Sequence, residues 1–388
     1  MRVLVAFDKF KDSLPARDAC DAAARALRSS HPDWELDLCP LADGGEGFAE
    51  ILTGAAGGEL ITVPVTGPRG GRVTAGLGIV PIRKVPAAAL ELLALRRQPP
   101  ASETLAVLDM AAASGLAMLA PRSRDPWQTS TIGTGQLIRA AAERGAGAVL
   151  LGVGGSATHD LGLGALSGLG LRFRTCGGED VPAPIPAHWR EIARIDGRVA
   201  PGLPPIRIAC DVANPLLGPQ GAASVYGPQK GLLDRDVSRL DSESGRMAGL
   251  LCDHFRKERG LAGTPGAGAA GGLAFGLMVA AGAGLVPGFP LVSAWLDLAA
   301  RLGAADMVLT GEGRFDGTSV RGKGPGALVA KAMGMGKPAH VFAGHADPHP
   351  GWAGALVVHS VTPSGTPLAQ ALRDTAANLC AAVRQTFP

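Results

Sequence analysis

Short apolar runs that stop abruptly in loops of glycine and acidic residues, each followed by residues at helical spacing, recur along this 388-residue chain. Alternation of that kind restricts a chain to a parallel sheet with helical crossovers. Arg2–Phe7 reads as a strand, and Pro15–Arg28 has helical spacing, with Pro15 suited to the first turn. Glu35–Leu41 reads as a second strand, followed by Asp43 and a helix through Glu50. Near the other end, residues 306–310, 339–343 and 355–359 read as strands, with helices over 326–333 and 367–385.

The middle differs. Leu60–Val65 and Arg72–Val80 read as paired strands joined by TGPRGG, and Ala148–Val153, Leu171–Arg174 and Ile206–Cys210 as further strands between loops of uneven length. Proline clusters at 182–186 and 201–205 mark connections, and no repeat is visible. The length allows two domains with ample cores. The pattern fits a mixed-sheet domain inserted into a discontinuous α/β domain.

Hydrophobic content of 46% with 18% charged residues describes a globular chain. The net charge is +3, without a basic stripe interleaved with aromatics, so no nucleic-acid partner is expected. The six cysteines form no CxxC pair and read as reduced and intracellular. Gly260–Leu296 holds no charged residue, but glycine, alanine and three prolines fill much of it. It reads as a buried helix and not a membrane span. Met1 leads straight into a strand without a signal pattern, and the expected location is the cytoplasm.

The 56 glycines are roughly twice the usual share of about 7%. Many follow apolar runs, where backbone turns tightly or approaches a ligand. GAGAAG (Gly266–Gly271) matches a dinucleotide fingerprint in letters, yet no strand precedes it. GTSVRGKG (317–324) nearly matches a P-loop but lacks the final hydroxyl residue. Both can still bring backbone N–H groups or Lys323 near phosphate. GVGGSATHD (Gly152–Asp160) either faces an anion, with Ser156 and Thr158 adding donors, or makes a tight turn capped by Asp160.

Acids also end strands. Asp43 and Glu46 flank glycines in DGGEG; Asp8, Lys9, Lys11 and Ser13 follow the first strand; Glu312, Arg314 and Asp316 follow another. In a parallel sheet such ends share one edge, where α/β proteins place ligands. In Ile208–Gly231 a strand ends in Asp211, and a loop of Asn, Gly, Pro and Gln closes on Lys230. A carboxylate backed by amides and a lysine can hold a metal and a phosphate together.

Taken in order, AFDKFKDSL (Ala6–Leu14), LADGGEG (Leu41–Gly47), DMAAASGL (Asp109–Leu116), TSTIGTGQLIRAA (Thr129–Ala141), GVGGSATHD, ACDVANPLLGPQGAASVYGPQKG (Ala209–Gly231), PGAGAAGGL (Pro265–Leu273) and TGEGRFDGTSVRGKGP (310–325) resemble the type-1 glycerate kinase family of bacteria. The resemblance implies a discontinuous flavodoxin-like parallel-sheet domain, placed at 1–66 and 287–388, with a mixed α/β domain inserted at 67–286. It implies ATP-dependent phosphorylation of D-glycerate, usually at the 2-hydroxyl, with magnesium. Alternatives are the 3-hydroxyl, another small hydroxy or sugar acid, or a catalytically impaired ligand-binding paralogue. The family commonly has Pro, Ser and Tyr at the positions of Phe7, Lys9 and Ile132, and Asn and Gly at those of His159 and Leu161. APIPAHWR (Ala183–Arg190) replaces a glycine-rich segment.

The expected catalytic residues are Asp211, Lys230, Asp316 and Asp43, with Asp211 either a magnesium ligand or the base near the acceptor hydroxyl. Acceptor contacts are expected from Asp8, Lys11, Ser13, Glu46, Asn214 and Arg314. Nucleotide contacts are expected from Gly154, Gly155, Ser156, Thr158, Gly268, Gly271, Gly272 and Lys323. The partners are then a small hydroxy acid and ATP, in a monomer or homodimer.

Overall fold

The structure is a computed structural model, and it describes residues 1–95, 103–316, 324–346 and 356–388. Its strands are, in chain order, β1 (Arg2–Phe7), β2 (Glu35–Leu38), β3 (Glu59–Thr66), β4 (Arg72–Pro81), β5 (Thr104–Asp109), β6 (Ala148–Gly152), β7 (Arg172–Arg174), β8 (Arg194–Asp196), β9 (Ile206–Ala209), β10 (Gly284–Val286), β11 (Met307–Phe315), β12 (Ala339–Ala346) and β13 (Leu356–Ser360). They fall into two compact units: Met1–Asp43 with Val292–Pro388, and Gly44–Leu291.

In the first unit the strands lie in the order β2-β1-β11-β12-β13, all parallel. Renumbered along this unit, that is 2-1-3-4-5, the flavodoxin-like order, with the winding reversed between β1 and β11. The alanine-rich helix Ala16–Ser30 turns Ala19, Ala22, Ala23, Ala26 and Leu27 onto Val3, Val5 and Phe7. Leu379 and Val383 of helix Thr375–Thr386 complete that core. The TGEGRFD segment is not the strand-end loop expected from sequence. β11 runs through it to Phe315, because parallel pairing with β12 continues to Arg314↔His345 and Phe315↔Ala346.

The second unit holds a six-stranded sheet, β10-β9-β6-β5-β4-β3, and the separate pair β7-β8. β5, β6, β9 and β10 are parallel; β4 and β3 continue antiparallel. β3 pairs with β4 along its whole length, from Glu59↔Ile79 to Thr66↔Arg72. Residues 44–66 therefore lie with the mixed sheet, and the units divide after 43 and 291, where the sequence reading put 66 and 286. The uncharged segment contains the buried helix Ala269–Ala281. Among the described residues no helix is long and apolar enough to cross a membrane.

Candidate functional site

At the carboxyl edge of the first sheet, beside the winding reversal, β1 delivers Asp8. Its N–H donates to the Gly311 carbonyl (3.0 Å) and its Oδ1 accepts the Lys9 N–H (2.7 Å). A Cβ on Gly324, which opens helix Gly324–Gly334, would lie 3.3 Å from Asp8 Oδ2. A carboxylate beside a helix start is favoured by the exposed N–H groups there. Lys9 Nζ meets Asp43 Oδ1 at 2.7 Å, and Arg314 meets Asp316 at 3.1 Å. Lys11 is exposed, with its backbone against Gly313, where a Cβ would lie 3.1 Å from Lys11 N.

One edge thus gathers Asp8, Lys9, Lys11, Asp43, Arg314 and Asp316. Ser13 does not join them. Its hydroxyl lies within hydrogen-bond reach of both the Leu372 carbonyl (2.6 Å) and Thr375 Oγ1, tying the first loop to the start of the last helix. Lys323 lies outside the described residues.

In the second unit the parallel strands bring Asp109, the Gly152–Asp160 loop and Asp211 to one edge. The glycines there are demanded by backbone meeting backbone. The Gly154 N–H donates to the Gly44 carbonyl (2.9 Å), and a Cβ on Gly154 would lie 2.8 Å from Gly45 Cα. Gly155 has φ 70°, and a Cβ there would strike the Glu46 carboxylate. Cβ atoms on Gly268 and Gly271 would strike the carbonyls of Pro215 and Thr158, and one on Gly272 would meet Leu161 Cα at 3.0 Å. Ala270, Gly271 and Gly272 are all left-handed, where glycine costs least. The expected nucleotide glycines therefore interlock loops. Only Gly154, Gly155 and Ser156 keep exposure, while Thr158 is buried.

Beyond Ser156 the loop descends into a sealed polar cluster. Asp160 accepts the N–H groups of Thr131 (2.7 Å), Gly162 and Gly164 (both 3.1 Å) and the Thr131 hydroxyl. It caps helix Leu163–Gly168 and fastens the start of helix Ile132–Glu143. Burial pushes its carboxyl above the usual range, opposed by the Thr131 bonds. Lys230, 1% exposed, donates to the Thr158 carbonyl at 2.7 Å. Burial pushes its ammonium down to about 7, opposed by Asp160. Sequence placed Lys230 among the catalytic contacts, but its depth forbids contact with a ligand in this conformation.

The residues that depart from the family pattern fit the same frame. Ser244 donates to the Leu240 carbonyl (2.7 Å), so its oxygen accepts from His159 Nε2–H at 3.0 Å. Burial, helped by the Lys230 charge, holds His159 down at about 3, and the ring is neutral. Its Nδ1 and the Thr158 hydroxyl have no partner among the described residues. Leu161 keeps the left-handed backbone that suits glycine (φ 54°). Its side chain is buried in the core and leaves the loop surface unobstructed. Lys9 is engaged by Asp43, and Ile132 opens a helix.

Asp211 and Asn214 are held locally. Asp211 Oδ2 accepts the Phe289 N–H at 2.8 Å, in the first turn of helix Gly288–Trp295. The Asn214 amide donates to the Gln220 carbonyl and accepts from the Tyr226 hydroxyl (2.6 Å), so it shapes its own loop. Asp109, to which sequence reasoning gave no role, is 5% exposed and accepts from Ala49 N–H (3.4 Å) and Ala112 N–H (3.2 Å). Burial pushes it up to about 6. It lines a hollow of about 340 Å³ with Glu46, Glu50 and Thr62. Its position at the end of an apolar strand, like that of Asp211, was the signal for it.

The family model for glycerate kinases matches residues 3–387. A protein named glycerate kinase from Halalkalibacterium halodurans is 38% identical over 88% of this chain and 85% of its own length. One named glycerate 2-kinase from Escherichia coli is 34% identical over 99% of this chain and 96% of its own. The crystal structure of a protein assigned as glycerate kinase 2 from Salmonella typhimurium superposes with a TM-score of 0.73 at 36% identity, covering 100% of this chain and 97% of that one. With that extent of match, this chain belongs to the glycerate kinase family.

Proposed function

We propose that this chain transfers the terminal phosphoryl group of ATP to the 2-hydroxyl of D-glycerate. The observation that carries the reading is the match over 99% of the chain to the Escherichia coli protein named glycerate 2-kinase. The chemistry of the residues agrees with it. Phosphoryl transfer asks for positioning and charge neutralisation, not for a covalent nucleophile. Lys11 and Arg314 are exposed cations suited to the carboxylate of a small hydroxy acid. Gly154–Ser156, with Gly155 exposed and its neighbours half-buried, is the turn suited to phosphate oxygens.

Magnesium enters with the nucleotide in this reading. Among the described residues no three His, Cys, Asp or Glu side chains are grouped to hold an ion. Magnesium that arrives with a nucleotide is held mainly through phosphates, waters and one or two carboxylates. Asp211 is the carboxylate assigned to it; when bound, the ion neutralises charge on the transferring group. The enzyme acts in the cytoplasm. Release of ADP from MgATP, measured across a panel of short hydroxy and sugar acids, tests the reading. D-glycerate should give the highest kcat/KM, and preference for another acid would replace the substrate.

A further inference from the structure

Two segments converge on one backbone atom, the Thr158 carbonyl oxygen. The Lys230 ammonium donates to it at 2.7 Å from 72 residues further along the chain. Gly271 presses on it so closely that a Cβ there would collide. Two residues later Asp160 is bound by Thr131, Gly162 and Gly164. Lys230 ends the short turn Pro228–Lys230, and Gly231 follows with φ 91°. A Cβ at Gly231 would collide with the Arg124 carbonyl. Glycine there lets the turn pack close enough to send the lysine inward. The far half of the Gly152–Asp160 loop is thus fixed from several directions, while Gly155 stays exposed between the half-buried Gly154 and Ser156.

We propose that Lys230 is a positioning residue: its hydrogen bond to the Thr158 carbonyl sets the shape of the Gly154–Ser156 turn that receives the phosphates of ATP. The inference rests on the nucleotide reading above and assigns Lys230 no contact with substrate. Burying an ammonium is costly unless it is hydrogen-bonded and countered by charge. A lysine used only to fill space would be replaced with advantage by an apolar side chain of similar length. A lysine used to hold a carbonyl would not, because a displaced loop presents its N–H groups at the wrong angle.

Two substitutions separate these roles. Lys230→Met keeps length and removes the donor; Lys230→Gln keeps a donor and removes the charge. ATP affinity is read by calorimetry, KM for D-glycerate by steady-state kinetics, and folding by circular dichroism. The expected result is an ATP affinity about ten-fold or more weaker in Lys230→Met, from one lost charge-assisted bond. Lys230→Gln should recover most of it, with KM for D-glycerate unchanged in both. ATP binding that is unchanged in folded Lys230→Met, or equally weak in both variants, overturns the proposal.

If Lys230→Met does not fold, hydrogen exchange at residues 154–161 is compared between wild type and Lys230→Gln. Retained protection with near-normal ATP affinity supports the proposal, and lost affinity with the segment still protected refutes it. Wild-type protein without saturable ATP binding removes the nucleotide reading itself and this inference with it.

Discussion

At the carboxyl edge of the five-stranded sheet, Lys11 and Arg314 stand in solvent and Lys9 meets Asp43 at the surface. At the carboxyl edge of the six-stranded sheet, Lys230, His159 and Asp160 are sealed from water. The two edges are built from the same residue types, after the same kind of strand, in loops equally rich in glycine. Burial is what separates them. An exposed cation can turn toward a ligand carboxylate. A buried one has already spent its bonds on backbone, and its ionisation is displaced. Sequence motifs alone therefore do not tell an exposed charged residue from a sealed one.

The largest effect expected from this contrast is on stability in the sealed cluster. Asp160→Ala leaves the N–H groups of Thr131, Gly162 and Gly164 without their acceptor and Lys230 without its countercharge. The expected loss is about 3–5 kcal/mol in urea unfolding, the scale of a broken buried pair. A loss under about 1 kcal/mol, the scale of a surface ion pair, would show that the cluster is wetter than its burial implies.

Asp211→Asn comes next. The asparagine oxygen still accepts the Phe289 N–H, so the helix start is preserved and only the charge is lost. Turnover should fall about 10²-fold or more with the melting temperature little changed. Near-normal turnover would reduce Asp211 to a cap.

At the open edge, Lys11→Met should leave stability unaltered, since the side chain is exposed. The KM for the hydroxy acid should rise about ten-fold or more, the loss of one charge-assisted bond. An unchanged KM would remove Lys11 from the acceptor site.

The smallest effect concerns pH. His159 titrates at about 3 when folded, against an ordinary value of 6.5. The unfolded chain therefore binds the extra proton between those values, and stability falls as pH drops from 6.5 toward 3. His159→Asn should flatten that slope by up to roughly 1.4 kcal/mol per pH unit, read from urea midpoints at pH 5 and 6. Identical slopes would mean that the ring is not buried and neutral.

Much of the fold was legible because its strands are short apolar runs ended by acids. The terminal βα units, the β3–β4 hairpin and the buried alanine–glycine helix all follow from period and punctuation. The division after residue 43 was not legible, since β3 declares its partner only through pairing in space. The reach of β11 to Phe315 was hidden by Gly311 and Gly313, which read as loop. At the candidate site, the sequence shows which loops follow strand ends but not the depth of each residue. Nothing in GVGGSATHD marks where exposure ends after Ser156. Nothing in GPQKG shows that Lys230 is buried. Ser13 looked like a ligand contact because its partner, Thr375, lies 362 residues away.

Proton-coupled phosphorus NMR of the product from D-glycerate and MgATP tests the central claim most directly. Phosphate on the 2-oxygen couples to the single proton on that carbon and gives a doublet, the predicted result. A triplet, from phosphate on the CH₂ oxygen, or no phosphorylated acid at all, would contradict the account.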